Sequence, residues 1–188
     1  MHHRLALSAL ITLAVLAPFG AAAQLLELPA RKPGQWEMRM TTEKPAGGPS
    51  MTSQMCIDAA TDRELMEFGL KMSKGSCQRF DMKKAGGGWV IDAECAFGPV
   101  KNVTKTTISG DFQSTVKVRM EGTMEGLPGA GSGPQPTLMT QTATWKSAAC
   151  TDGMKPGDVS LGNGIKMNVK QLQQLQQLQK MLPNLQVK

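Results

Sequence analysis

Apolar and polar residues alternate with period two along most of this chain, and that pattern leaves few folds open to it. Successive side chains of an extended strand point to opposite faces, so the alternation marks strands with one dry face and one wet face. Trp36, Met38 and Met40 alternate with Glu37, Arg39 and Thr41. Trp89, Ile91, Ala93, Cys95 and Phe97 share a face opposite Asp92 and Glu94. Phe112, Val116, Val118 and Met120 are set against Gln113, Thr115, Lys117, Arg119 and Glu121. Weaker strand patterns cover residues 51–55, 77–83, 102–108 and 138–147. Lys84-Ala85-Gly86-Gly87-Gly88 and Ser109-Gly110-Asp111 supply hairpin turns, so strands adjacent in sequence are expected to be adjacent in space. Residues 122–136, rich in glycine and proline, are expected as a long surface loop. A sheet of this kind must cover its dry face. The expected fold is therefore mainly β: an antiparallel, strongly curved sheet or open barrel of about seven strands.

Two segments break the alternation. Thr61 and Glu64 stand at capping-box spacing before Leu65, Phe68 and Leu70, which predicts one short helix between Cys56 and Cys77. Residues 168–182 carry a glutamine and leucine repeat in which Leu172, Leu175, Leu178 and Leu182 fall within an arc of about 120°. Pro183 ends this amphipathic C-terminal helix. The stripe is short for a stable coiled coil. Docking on the domain, or projection as a tail, is favoured over self-association or a partner groove. Residues 151–164 read as a linker to this tail, residues 165–188.

The first 23 residues open with His2, His3 and Arg4, run through apolar residues 5–17 and close on Ala21-Ala22-Ala23. That is the pattern of a secretory signal peptide cleaved near Ala23. The apolar run is too short to span a bilayer, and no second run follows, so no transmembrane segment is expected. The remaining 165 residues, with residues 24–150 as the β domain, suit one core in the periplasm or exterior of a bacterium.

All four cysteines, Cys56, Cys77, Cys95 and Cys150, lie beyond the signal segment. An even count in an oxidising compartment predicts two disulfides. Three pairings exist. Cys56 with Cys77 and Cys95 with Cys150 is favoured, the first closing a loop around the helix and the second tying a middle strand to the end of the last one.

Removal of the signal also removes both histidines, and with them the commonest general base, the usual nucleophile pairs and the commonest metal ligand. Asp92 and Glu94 share a strand face about 7 Å apart, yet a pair on a wet face is far more often simply solvated. The glycines at 86–88 lie between strands and cradle no phosphate. No enzyme chemistry and no cofactor are implied. The mature net charge is about +5, from 20 basic and 15 acidic residues, without a basic stripe, which argues against nucleic acid.

Methionine is over-represented, at 13 in the mature chain against four phenylalanines. Met38 with Met40, Met51 with Met55 and Met120 with Met124 are closely spaced, and thioethers suit Cu(I). Methionine is also an adaptable core filler on faces expected to be buried, and that reading is favoured.

The run Lys32-Pro33-Gly34-Gln35-Trp36-Glu37, followed by methionine-rich strands, Cys56-Ile57 before a helix, Gly75-Ser76-Cys77, Cys95 within a strand and Cys150 closing the last one, resembles a bacterial exported family. The family is domain of unknown function 3617, and the resemblance covers residues 32–150. It implies export and disulfides, and carries over no activity and no catalytic residue. Members often have an arginine- and glycine-containing approach to the last cysteine, where this chain has Trp145-Lys146-Ser147-Ala148-Ala149-Cys150. The expected role is a non-enzymatic periplasmic binding or envelope-associated module. Trp36, Met38, Trp89, Phe112, Met120 and Trp145 are its candidate face for an apolar small ligand or envelope component. A protein-interaction module acting through the leucine stripe is the first alternative, and methionine-based copper binding the second.

Overall fold

The computed structural model describes residues 28–127, 133–162 and 164–181, with side chains described through Leu178. The signal segment and Leu182 lie outside these residues. Among the described residues nine strands form one antiparallel sheet: β1 (Gly34–Lys44), β2 (Ser50–Ile57), β3 (Cys77–Ala85), β4 (Gly88–Phe97), β5 (Val100–Gly110), β6 (Thr115–Glu125), β7 (Gln135–Ser147), β8 (Asp158–Leu161) and β9 (Lys166–Asn168). Their spatial order is β3-β4-β5-β6-β7-β1-β2-β8-β9, an open sheet with edges at β3 and β9. The seven expected strands are all present, and the faces read from alternation in β1, β4 and β6 hold, although Phe97 at the end of β4 is 52 % exposed. Trp36, Val116, Ala143, Ile108 and Trp89 sit on the dry side and join Met55, Ile57 and Phe112 in one core cluster. The wet side carries cross-strand ion pairs such as Arg79 with Glu94 and Lys83 with Asp92. Asp92 and Glu94 are thus paired with cations on that wet side.

Helix α1 (Ala59–Ser76) carries the chain from β2 to β3. In the sheet these strands stand six places apart, about 29 Å at normal strand spacing. An 18-residue helix is about 27 Å long, so α1 lies as a chord across the concave face. Its N-cap is Asp58, in place of the expected Thr61. Asp58 accepts the Thr61 N–H at 2.8 Å, and the Thr61 hydroxyl accepts the Asp58 N–H at 3.0 Å.

The disulfides correct the expected pairing. Cys56 is bonded to Cys150, and Cys77 to Cys95. The helix is the physical reason: it holds Cys56 and Cys77 at its two ends, several times farther apart than a disulfide reaches. The β3–β4 hairpin, turning at Gly86 and Gly87, sets Cys77 directly opposite Cys95. Cys56 pairs in register with Gln35, and Gln35 with Ser147, so Cys56 and Cys150 meet at the same end of β1.

Residues 151–164, expected as a linker, instead contribute strand β8, which pairs with β2 through Met55 and Val159. Without it β2 would be a bare edge. Gln35, 4 % exposed, secures the entry by accepting from the Thr151 N–H and hydroxyl. Gly157 N–H donates to the Cys56 carbonyl at 2.9 Å. The expected loop at 122–136 is shorter, because β6 continues to Glu125 and β7 begins at Gln135. Helix α2 (Val169–Met181) starts on the fully buried Val169. Leu172 is half-buried, whereas Leu175 and Leu178 are 57 % and 53 % exposed.

Proteolytic mapping without reduction is expected to recover a Cys56–Cys150 and a Cys77–Cys95 peptide pair, and a Cys56–Cys77 pair would overturn the connectivity. Removing the 18-residue link should cost about 3 kcal/mol and the 94-residue link about 4.5 kcal/mol in chemical denaturation.

Candidate binding site

A cavity of about 390 Å³ lies between α1 and the concave face of the sheet. Strand residues form its floor: Met38, Met55, Ile91, Ile108, Val118 and Ala143, each on the dry side of its strand. Leu65, Met66, Gly69 and Leu70 of α1 form its roof, two adjacent pairs one helical turn apart that share one helix face. Leu28 and Phe112 complete the wall, and Leu28 also borders an adjoining pocket of about 210 Å³ on the other side of the α1 residues Met66 and Leu70. Arg31 and Gln141 are the polar residues of the lining.

Phe112 reaches the cavity from a turn. Its φ of 59° is left-handed backbone, which a bulky residue adopts only where its surroundings hold it. Asp111 does the holding: its carboxylate accepts the N–H groups of Gln113, Ser114 and Thr115 at 2.8–2.9 Å and the Ser114 hydroxyl at 2.6 Å. These bonds, led by that of Ser114, favour the charged form and push the Asp111 carboxyl far below the usual carboxylate range. The Phe112 carbonyl accepts from Lys32 N–H at 2.9 Å, which ties the N-terminal segment to the same turn.

Arg31 belongs to that segment. Its backbone N–H and its Nε donate to the two carboxylate oxygens of Asp62, at 2.8 and 2.7 Å. Asp62, in the first turn of α1, is fully buried. The pair clamps the helix over the cavity. Arg31 Nη1 is directed at Met55 Sδ, 3.1 Å away, and Gln141 Nε2 at Met38 Sδ, 3.3 Å away. Neither Arg31 nor Asp62 stands out in the sequence; they are 31 residues apart and carry no motif.

The structure brings two of the six candidate ligand-face residues, Met38 and Phe112, to the cavity. Trp36 is fully buried and its Nε1 donates to the Lys32 carbonyl at 2.8 Å. Trp89 packs edge-on against Phe112 with centroids 5.5 Å apart and backs the wall. Trp145 donates to the Pro33 carbonyl at 3.0 Å and lies under the Lys32 ammonium, 3.7 Å from the ring centroid. Met120 is half-buried farther along the sheet, in register with Thr106 and Met139. The remaining floor residues were visible as dry-face positions, but which of them face a void depends on where α1 crosses. Among the methionines weighed for copper, Met40 pairs in register with Met51. Met55 carries the Arg31 guanidinium against its sulfur, which works against a cation there.

The Pro-Gly-x-Trp opening now has a structural account. Both Trp36 and Trp145 bind carbonyls of residues 32–33. Gly34 has φ of 125°, and a Cβ on it would meet the Ser147 carbonyl oxygen at 2.2 Å. A family model described as protein of unknown function (DUF3617) matches residues 31–150. The chain belongs to the DUF3617 family. No curated protein and no solved structure matches it. The DUF3617 region begins at Arg31 and ends at Cys150, so it includes β1–β7, α1 and the Arg31–Asp62 clamp, and leaves β8, β9 and α2 outside.

Asp111→Ala is expected to lower Tm at neutral pH by freeing the Phe112 turn. Because the folded-state pKa lies below its ordinary 3.8, the carboxylate's contribution is present above that value and is lost as pH falls through and below it. Thermal melts from pH 7 downward should show the gap between wild type and variant closing in that acid range, and a pH-independent gap would refute the account.

Proposed function

We propose that this protein is a non-enzymatic, exported module of the periplasm or cell exterior that holds an apolar ligand between α1 and the sheet. The cavity carries this reading: it has the volume of small-molecule sites, apolar walls and two polar groups. Export is supported by the pattern of residues 1–23 and by the two disulfides. Among the described residues no helix is long and apolar enough to cross a membrane.

Gly69 offers a clean test. It is in α1, it lines the cavity, and a Cβ built on it meets nothing within 4 Å. Gly69→Leu should fill the void from the roof while improving helix propensity by about 1 kcal/mol. The expected result is equal or higher Tm with loss of an apolar fluorescent probe or of any co-purifying ligand seen by native mass spectrometry. Unchanged probe binding in a folded Gly69→Leu variant would refute the cavity as the site.

A second reading, self-association, is favoured by one observation: Leu175 and Leu178 of α2 are more than half exposed. Leu175→Gln with Leu178→Gln leaves the buried Val169 in place. Light scattering should then show a lower mass than wild type, and a wild-type monomer would remove this reading.

A further inference from the structure

We infer that the ligand of the proposed cavity is an acyl chain whose head is an uncharged carbonyl, an ester or an amide, received by Arg31. The inference rests on the binding role proposed above and concerns only which chemistry that site selects. Arg31 has five side-chain N–H donors. Nε is used by Asp62, and Nη1 faces Met55 Sδ, a weak acceptor. No other protein acceptor engages the guanidinium among the described residues, although its side chain is only 14 % exposed and lines the cavity. Hydrogen-bonding capacity is therefore left over on a mostly buried side chain in an apolar cleft, where an oxygen acceptor on the ligand would displace a poor partner.

The charge of that acceptor follows from Asp62. Its carboxylate is fully buried and bonded to Arg31 through both oxygens, so the pair is neutral as a unit. A ligand carboxylate on the same guanidinium would place a second anion beside Asp62, with one cation between two buried negative charges. A carbonyl oxygen of an ester or amide takes the same N–H donors without that penalty. The rest of the lining, apolar apart from Gln141, suits the hydrocarbon chain.

Dodecanoic acid, methyl dodecanoate and dodecane, each used at neutral pH to displace an apolar fluorescent probe from the full mature protein, separate the cases. The ester is expected to bind about tenfold more tightly than the fatty-acid anion, and more tightly than dodecane. Asp62→Asn leaves Arg31 as a net cation and should reverse the order of ester and anion. Arg31→Gln should bring the ester down towards dodecane. Tighter binding of the anion than of the ester by wild type overturns the inference without any variant, as does a Gln141→Leu variant that loses the ester preference while Arg31→Gln keeps it. If Asp62→Asn or Arg31→Gln does not fold, as judged by circular dichroism, the wild-type order of ester, anion and dodecane decides. Failure of all three chains to displace the probe overturns the inference together with the binding role, whereas binding of all three with equal affinity overturns the inference alone.

Discussion

An antiparallel sheet with one apolar face has to place something over that face, and here a single helix is long enough to cross it but too narrow to fill it. Helix α1 spans about 27 Å, close to the distance between the strands it joins, yet is only about 10 Å wide with its side chains. The connection from β2 to β3 must cross because β1 and β2 add beyond β7, at the far side from β3. What the helix does not cover is occupied by Trp36, Trp89 and Phe112 at one end, and left as a cavity elsewhere. Topology, core and candidate site are thus consequences of one crossing.

The helix is held by a buried charge pair, and that choice has a physical meaning. Replacing such a pair by packed hydrocarbon is often neutral or stabilising, so Arg31–Asp62 is a poor device for stability alone. Removing one partner, by contrast, typically costs 3–5 kcal/mol. The pair fixes where α1 rests and allows few alternatives, and it keeps polar donors in a wall that is otherwise apolar. The Asp58 capping box sits one turn before it, so cap and clamp set the same end of the helix. The Cys77–Cys95 link secures the other end through the β3–β4 hairpin.

The walls themselves are soft. Met38, Met55 and Met66 line the void, and unbranched thioether chains adapt to contents of different shape at little cost. Rigidity comes from the perimeter: the Asp111 turn behind Phe112, the indole bonds that pin residues 32–33, and the Cys56–Cys150 link that closes the end of β1. An adaptable lining inside a fixed rim suits a binder of flexible chains better than one of a rigid molecule.

Period-two alternation determined the fold class, the seven principal strands and, in β1, β4 and β6, the face on which the alternating side chains lie, because strand geometry ties residue parity to direction regardless of what surrounds the strand. Turn glycines determined the hairpins, and the even cysteine count determined that disulfides form. Trp36, Trp89 and Phe112 were legible as buried, and Met38 as dry-faced. Only the tertiary structure decided which cysteines meet, because that depends on how far a helix separates them; that residues 151–168 extend the sheet, because β8 needs the edge of β2 to exist; and that Arg31 and Asp62 form the clamp. Charged residues look alike in sequence whether solvated or buried, and local periodicity carries no information about partners 31 residues away. The cavity belongs to the second class for the same reason: a void is a property of the gap between two elements, and neither element's sequence contains it.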